Sequence, residues 1–153
     1  MKDSIKNCKG QSLFEVILAL FIISMIIVAV VILSTKSISN SLSSRNKTLA
    51  SKYTQELVEW LRKQKEIDYG AFKNHIISSN IYCYKDVLYW SNSGACTSGE
   101  TIGTTIFRRE AQFLTETVAG KSLITANVVT FWDDSRGIHE AKTVTYFTDT
   151  RDQ

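Results

Sequence analysis

The sequence predicts an α+β fold in which one long N-terminal helix, with a transmembrane first half, packs on a C-terminal antiparallel β-meander. Residues 13–33 are almost entirely apolar, and a helical pattern of apolar residues continues to about residue 65. The last third of the chain is rich in Thr, Val, Ile and aromatic residues, which favour strands. Helix first and strands last is the element order of an α+β protein.

The apolar run from Leu13 to Leu33 predicts a single membrane-spanning helix. Glu15 and Ser24 are its only polar residues. At about 1.5 Å per residue it covers about 31 Å, close to the ~30 Å hydrocarbon core of a bilayer. Three lysines precede the run, whereas only Lys36 is basic in the ten residues after it. This bias places the N-terminus in the cytoplasm and the remainder outside.

A short basic segment ends at Gly10, directly ahead of the apolar run. Ordinary secretory signals are cut after their hydrophobic segment, whereas a cut between Gly10 and Gln11 would retain it. Glu15 is also informative, because a carboxylate close to a membrane segment is costly and usually functional. A plain single-pass anchor would fit the apolar run equally well, but it has no use for Glu15.

The motif from Gly10 to Glu15, read Gly-Gln-Ser-Leu-Phe-Glu, resembles the prepilin cleavage and methylation signal of type IV pilins and pseudopilins. The resemblance implies that prepilin peptidase cuts after Gly10 and methylates the new amine of Gln11. It also implies that Glu15 pairs with the amine of an adjacent subunit during assembly. Two departures from the family are Gln11 in place of the common Phe and the absence of proline, which removes the usual helix kink.

The resemblance and the sequence patterns divide the chain into four parts. These are a cleaved leader (1–10), a transmembrane and assembly helix (11–33), the amphipathic second half of the helix (34–67) and a globular antiparallel β domain (68–153). The leader removes three Lys and one Asp from 18 basic and 15 acidic residues, which leaves a net charge of +1. This balance gives no bulk attraction for nucleic acid or anionic lipid.

Two of the three cysteines are predicted to form a disulfide. Cys8 lies in the leader, on the cytoplasmic side, whereas Cys83 and Cys96 lie in the exported part, where disulfides persist. Closing a loop of this size contributes about 3 kcal/mol in the chain-entropy model. Zinc binding is the alternative, but two cysteines without a nearby histidine fall short of a zinc ligand set.

The helix is predicted to continue past the membrane segment. Residues 34–65 contain no Gly or Pro, and Asp68-Tyr69-Gly70 is predicted to end the helix. Apolar residues recur at helical spacing, which favours a helix packed on a sheet. They are Ile38, Leu42, Leu49, Tyr53, Leu57, Trp60 and Leu61.

The meander is predicted over residues 104–117, 122–132 and 139–148, with hairpin loops at 119–121 and 133–137. Two short strands, 81–84 and 87–90, are predicted around a turn at 85–86, within an otherwise irregular segment from 71 to 103. On the middle strand the residues predicted to face the helix are Ile124, Ala126, Val128 and Trp132. The tail from Val128 to Arg151 also resembles PilV-type minor pilins.

Signs of catalysis or metal binding are missing from the sequence, so no enzymatic activity, cofactor, metal or small-molecule substrate is expected. His75 and His139 lack metal-ligand spacing and are predicted to be surface or loop residues. Asp133-Asp134 is interpreted as a solvated turn rather than a calcium site. Arg108-Arg109 is interpreted as a solvent-facing pair at a strand edge.

An aromatic group, Tyr82, Tyr84, Tyr89 and Trp90 with Lys73 and Lys85, resembles a stacking surface for single-stranded DNA. Packing around the disulfide is the alternative and is favoured, so DNA binding is not supported.

Two classes of function remain. The first is a structural subunit, a minor pilin or pseudopilin, of a type IV pilus-like filament. Its partners would be prepilin peptidase, other pilin subunits and the membrane, and it would move from the cytoplasmic membrane into a cell-surface filament. The second is a membrane-tethered extracellular binding domain that does not polymerise. Gly10 and Glu15 favour the first, because a tether needs neither.

Overall fold

The computed structural model describes residues 9–90, 93–118 and 120–148, with side chains from Leu13 onward. The elements are helices α1 (Lys9–Ile67) and α2 (Tyr69–His75) and strands β1 (Ile81–Cys83), β2 (Arg108–Val118), β3 (Lys121–Asp134) and β4 (Gly137–Thr148). Two compact units are divided within α1, after Ser44. The predicted layout, a long N-terminal helix packed on an antiparallel sheet, is confirmed.

The four strands form one sheet in the order β1-β2-β3-β4, with every neighbouring pair antiparallel. Two tight hairpins connect β2 to β3 and β3 to β4. Gly120 and Gly137 lie at these turns with φ angles of 79° and 111°, a left-handed region that disfavours residues with a Cβ. In the second turn the carboxylate of Asp134 accepts a hydrogen bond from the backbone N–H of Arg136, which fixes the chain reversal.

The second half of α1 packs on one face of the sheet. The predicted inward face of β3 is confirmed, since Ile124, Ala126, Val128 and Trp132 are all buried. The first three share a core with Leu57 and other residues of α1, α2 and β2. A second cluster surrounds Trp132 and contains Ala50, Ile102 and Phe107.

The predicted apolar stripe of α1 is buried only in its second half. Leu57 and Leu61 are fully buried, whereas Ile38 and Leu42, which lie before the division at Ser44, are exposed. Leu49, Tyr53 and Trp60 pack at the margins of the two core clusters. The same helix face also buries Ala50, Thr54 and Val58, which the sequence pattern did not identify. The Thr54 hydroxyl is satisfied there by the Ala50 carbonyl and the Thr130 hydroxyl.

The predicted end of α1 is correct, but the residues after it are not irregular. Asp68 is the N-cap of α2, because its carboxylate accepts a hydrogen bond from the backbone N–H of Ala71 at 3.0 Å. The helix α2 then buries Tyr69 and Phe72 in the core. The motif predicted as a stop signal therefore ends one helix and begins another.

Two strand predictions are wrong. Residues 87–90 form no strand, because β1 pairs with β2 across Cys83 and Glu110 instead. Residues 104–107 form a turn rather than the start of β2. There the backbone N–H of Thr105 donates to the carbonyl of Ile102, and Gly103 has a φ of 54°.

Candidate functional site: the apolar helix segment and the disulfide-bonded loop

The apolar segment of α1 is exposed along its whole described length. Every residue from Leu13 to Leu33 is exposed, including large side chains such as Phe14, Phe21 and Ile27. A surface of this size is unfavourable in water, since each apolar side chain left exposed forgoes about 1.5–3 kcal/mol of transfer free energy. Among the described residues, α1 is the one helix long and apolar enough to cross a membrane.

The hydroxyl groups in and just after this segment are satisfied by their own helix. The Ser24 hydroxyl donates to the Phe21 carbonyl at 2.7 Å, and the Thr35 hydroxyl lies 2.9 Å from the Val31 carbonyl. Such bonds allow a hydroxyl to enter a bilayer without an unpaired donor. Glu15 differs, because no described residue forms a hydrogen bond or ion pair with its exposed carboxylate. Of the two polar side chains of the segment, Glu15 and Ser24, it is the one without a partner among the described residues.

Gly10 and Gln11 lie in the first turn of α1, which begins at Lys9. Helix ends fray readily, so this turn can open at little cost. The side chain of Gln11 and the remainder of the predicted leader, with Lys2, Lys6 and Cys8, lie outside the described residues.

The predicted disulfide between Cys83 and Cys96 is present, with a Cα–Cα distance of 5.0 Å. Cys83 is the last residue of β1, so the bridge connects the sheet edge to the loop that follows. The backbone N–H of Cys96 donates to the Glu110 carboxylate on β2 at 2.6 Å. The Gly94 N–H donates to the Ile81 carbonyl, and Ser93 pairs with Tyr82, so the loop also covers the outer edge of β1.

An ion pair closes the other side of this loop. The Lys85 ammonium lies 2.9 Å from the Glu100 carboxylate, which also accepts hydrogen bonds from the N–H and hydroxyl of Thr97. The hydrogen bond from the Thr97 backbone, followed by that from Lys85, lowers the pKa of Glu100 to about 2. Lys85, Glu100, Cys83 and Tyr89 line an open cleft of about 340 Å³. The loop is therefore ordered by covalent, ionic and backbone contacts together.

The Glu100 contacts are expected to make the loop sensitive to acid. A carboxylate whose folded pKa lies near 2, against an unfolded value of about 4.3, stabilises the folded state at pH above that unfolded value. This stabilisation is lost as the pH falls towards 2. We expect the urea midpoint of wild type to exceed that of Glu100→Gln at pH 6, and the difference to vanish near pH 2. A difference that does not change with pH would contradict this origin of the stabilisation.

Arg109 is buried, which the sequence did not predict. It was predicted to face solvent at a strand edge, but its side chain is fully buried between β2 and α1. One terminal nitrogen donates to the Tyr53 carbonyl at 2.9 Å and lies 3.1 Å from the Glu56 carboxylate. The other donates to the Lys85 carbonyl at 2.8 Å. Burial lowers the pKa of Arg109, and Glu56 opposes that effect.

Arg108, the neighbouring residue, lies on the opposite face of β2, because successive side chains of a strand alternate. Its guanidinium stacks over the Phe131 ring at 4.6 Å. The prediction of a solvent-facing arginine pair is thus wrong for Arg109, while Arg108 does lie on the outer face.

Most of the aromatic group that resembles a DNA-stacking surface packs in or against the core, whereas Tyr89 is exposed. Tyr82 and Tyr84 are buried, and Trp90 packs against Trp60 with ring centroids 5.1 Å apart. His75 also stacks on Trp90, at 4.9 Å. These contacts favour the alternative, packing around the disulfide, because buried ring faces cannot receive bases.

His139 and the acidic turn form a small polar cluster. The His139 Nε2 lies 3.0 Å from Asp134, and its ring stacks on Trp132. The backbone hydrogen bond from Arg136 lowers the pKa of Asp134. The carboxylate of Asp134 is therefore already engaged by contacts within the turn and with His139. Within the described ranges, no three His, Cys, Asp or Glu residues are grouped so that they could hold a metal ion.

Comparisons of this chain with protein-family models, with curated proteins and with solved structures returned no match.

Proposed function

We propose that this protein is a structural subunit, a minor pilin or pseudopilin, of a type IV pilus-like filament. One observation supports this proposal above the others: the Glu15 carboxylate lies at the head of an exposed apolar helix segment and has no partner among the described residues. A cut between Gly10 and Gln11, directly before that segment, would supply the amine that such a carboxylate requires.

The energetic argument concerns burial. The bilayer would cover the apolar surface first, and helices of neighbouring subunits would cover it after assembly. In either setting an unpaired carboxylate is unfavourable, because it loses its hydration and gains no opposite charge in return. An opposite charge offsets this cost, since the attraction between the two charges rises as the dielectric falls. Cutting after Gly10 would create an α-amine on Gln11, four residues before Glu15. The amine of one subunit and Glu15 of its neighbour would then form an ion pair that sets the axial register.

The two units of the chain, divided after Ser44, would have different roles. The apolar half of α1 would anchor the subunit in the cytoplasmic membrane and later join the filament. The unit from Arg45 onward would lie outside the cell and then on the filament surface. Prepilin peptidase, other pilin subunits and the membrane are the proposed partners, and no catalytic role is proposed. A membrane-tethered binding domain that does not polymerise is the competing function.

Cleavage at Gly10 is the first expected result. N-terminal sequencing of the membrane-extracted protein, from cells with a prepilin peptidase, should begin at Gln11 and carry a methylated amine. Gly10→Ala is the mild control and should be cut at least in part. Gly10→Leu should remain uncut, because a protease site shaped for glycine excludes a bulky side chain. A start after residue 33 would instead indicate ordinary signal peptidase, and an uncut wild-type chain would favour the tether.

A further inference from the structure

Strand β4 forms an open edge of the sheet. Among the described residues it pairs only with β3, and this pairing runs without a bulge from Leu123 opposite Thr148 to Asp134 opposite Gly137. One row of backbone N–H and C=O groups therefore lacks a strand partner along 12 residues. The opposite edge differs, because β1 is only three residues long and Ser93 and Gly94 already contact it.

The outward face of β4 carries an ordered pattern of side chains. Ile138, Glu140, Lys142 and Val144 occupy alternate positions and share one face. Ile138 is 72% exposed, and all four lie open to solvent. Neither Glu140 nor Lys142 forms an ion pair with any described residue. The order apolar, acidic, basic, apolar is complementary to its own reverse, because each charge then meets the opposite charge and each apolar residue meets an apolar one.

Backbone geometry restricts how two copies of β4 could pair. In an antiparallel ladder the N–H and C=O of one residue point to the same side, and these residues alternate along the strand. Residues that point outward must therefore lie opposite residues that point outward. For two identical antiparallel strands, this condition places the two-fold axis on a residue and never between two residues.

The charges then favour one residue for the axis. An axis at Glu140 or at Lys142 would place two like charges directly opposite each other, which is destabilising. An axis at Ala141 places Glu140 opposite Lys142 of the second copy, and symmetry repeats this pair. In the same register Ile138 lies opposite Val144, again twice. The small Ala141 side chains meet at the centre, where they leave room for the two backbones to approach.

We propose that β4 pairs in antiparallel fashion with β4 of a second copy of this chain, about a two-fold axis at Ala141. The pairing would join two four-stranded sheets into one continuous sheet. A lysine on an edge strand normally deters such contacts, because docking would leave its charge without a partner. Here the second copy supplies Glu140. The inference concerns only the unit from Arg45 onward and does not depend on the proposed filament.

Charge reversal tests the register. Self-association of full-length protein would be measured in detergent micelles as the dependence of energy transfer between labelled copies on concentration. We expect Glu140→Lys to weaken dimerisation about tenfold, because two attractive cross-strand pairs become repulsive. Lys142→Glu should act alike, and the double variant Glu140→Lys, Lys142→Glu should restore wild-type affinity. No measurable dimer of wild type, or equal affinity in all four proteins, would overturn the proposal.

A cross-link locates the axis independently. In a Cys8→Ser background, Ala141→Cys should form an intermolecular disulfide on mild oxidation, because residues directly opposite have Cα atoms about 4.5–5.5 Å apart. Thr143→Cys is the matched control, since its two copies lie four positions out of register, about 13 Å apart. We expect at least tenfold more cross-linked dimer with the first variant. Equal yields from the two variants, or none from Ala141→Cys, would reject the axis at Ala141.

Discussion

Arg109→Ala is expected to lower the free energy of unfolding of the globular unit by about 3 kcal/mol or more. The substitution leaves a cavity in the core and removes the donor of the Lys85 carbonyl. It also removes the contacts that Arg109 of β2 makes with Tyr53 and Glu56 of α1. Glu56 is 51% exposed and can return to water, so the cost falls at the lower end of the range for a broken buried ion pair.

The adjacent arginine is the matched control for this prediction. Arg108→Ala removes the same side chain from the outer face, where it only stacks on Phe131, and should cost less than about 1 kcal/mol. Arg109→Lys should recover part of the loss, because an ammonium keeps the charge but cannot reach all three acceptors. Urea unfolding at pH 7 measures the series. Equal losses for the alanine variants of Arg108 and Arg109 would show that the buried contacts do not stabilise the unit.

For the filament subunit proposed above, Glu15→Gln is expected to abolish most incorporation into filaments while leaving membrane insertion and cleavage intact. The amide keeps nearly the same volume, so helix packing should survive, but the α-amine of a neighbour would be buried without a counter-charge. A stranded buried charge costs about 3–5 kcal/mol, which corresponds to at least a hundredfold loss of affinity. The measurement is the fraction of mature subunit that copurifies with sheared filaments or with other pilins.

Ser24→Ala provides the control within the same segment. It also removes a polar group, but the Ser24 hydroxyl is satisfied by the Phe21 carbonyl and has no need of a second subunit. Its incorporation should match wild type. If Glu15→Gln were incorporated as well as Ser24→Ala, the pairing of Glu15 with an amine would be wrong for this subunit.

Local patterns predicted the long elements correctly, apart from the start of β2. The end of α1 at Ile67 follows from the motif Asp68-Tyr69-Gly70, and the inward face of β3 follows from a periodicity of 2. Both signals depend only on near neighbours in the sequence. The disulfide between Cys83 and Cys96 followed from the compartment and the cysteine count. These features required no knowledge of how distant segments meet.

Arg109 was misplaced because its partners are distant in sequence. Tyr53 and Glu56 precede it by more than fifty residues, so no local rule connects them. A signal nevertheless existed: Phe107, Arg109, Ala111 and Phe113 alternate, and their shared face is buried. The charge of Arg109 indicates exposure to solvent, whereas its position in this alternation indicates burial, and the structure follows the position.

The predictions of the short elements were wrong for related reasons. Asp68 and Gly70 suit both the end of one helix and the beginning of another, and only the burial of Phe72 decides between these outcomes. The segment 87–90 has the composition of a strand, but β1 pairs with the much longer β2 and not with this segment. Composition alone does not rank competing partners.

The positions of the three tryptophans give this protein a spectroscopic selectivity. Trp60, Trp90 and Trp132 all lie after Ser44, in the globular unit, and none lies in the apolar segment. Trp60 and Trp90 contact each other, and Trp132 is buried against Phe107. Intrinsic emission excited at the indole band therefore reports unfolding of the globular unit alone, even when detergent or lipid surrounds α1. Energy transfer from these indoles to an acceptor lipid would likewise measure how far that unit stands from a bilayer.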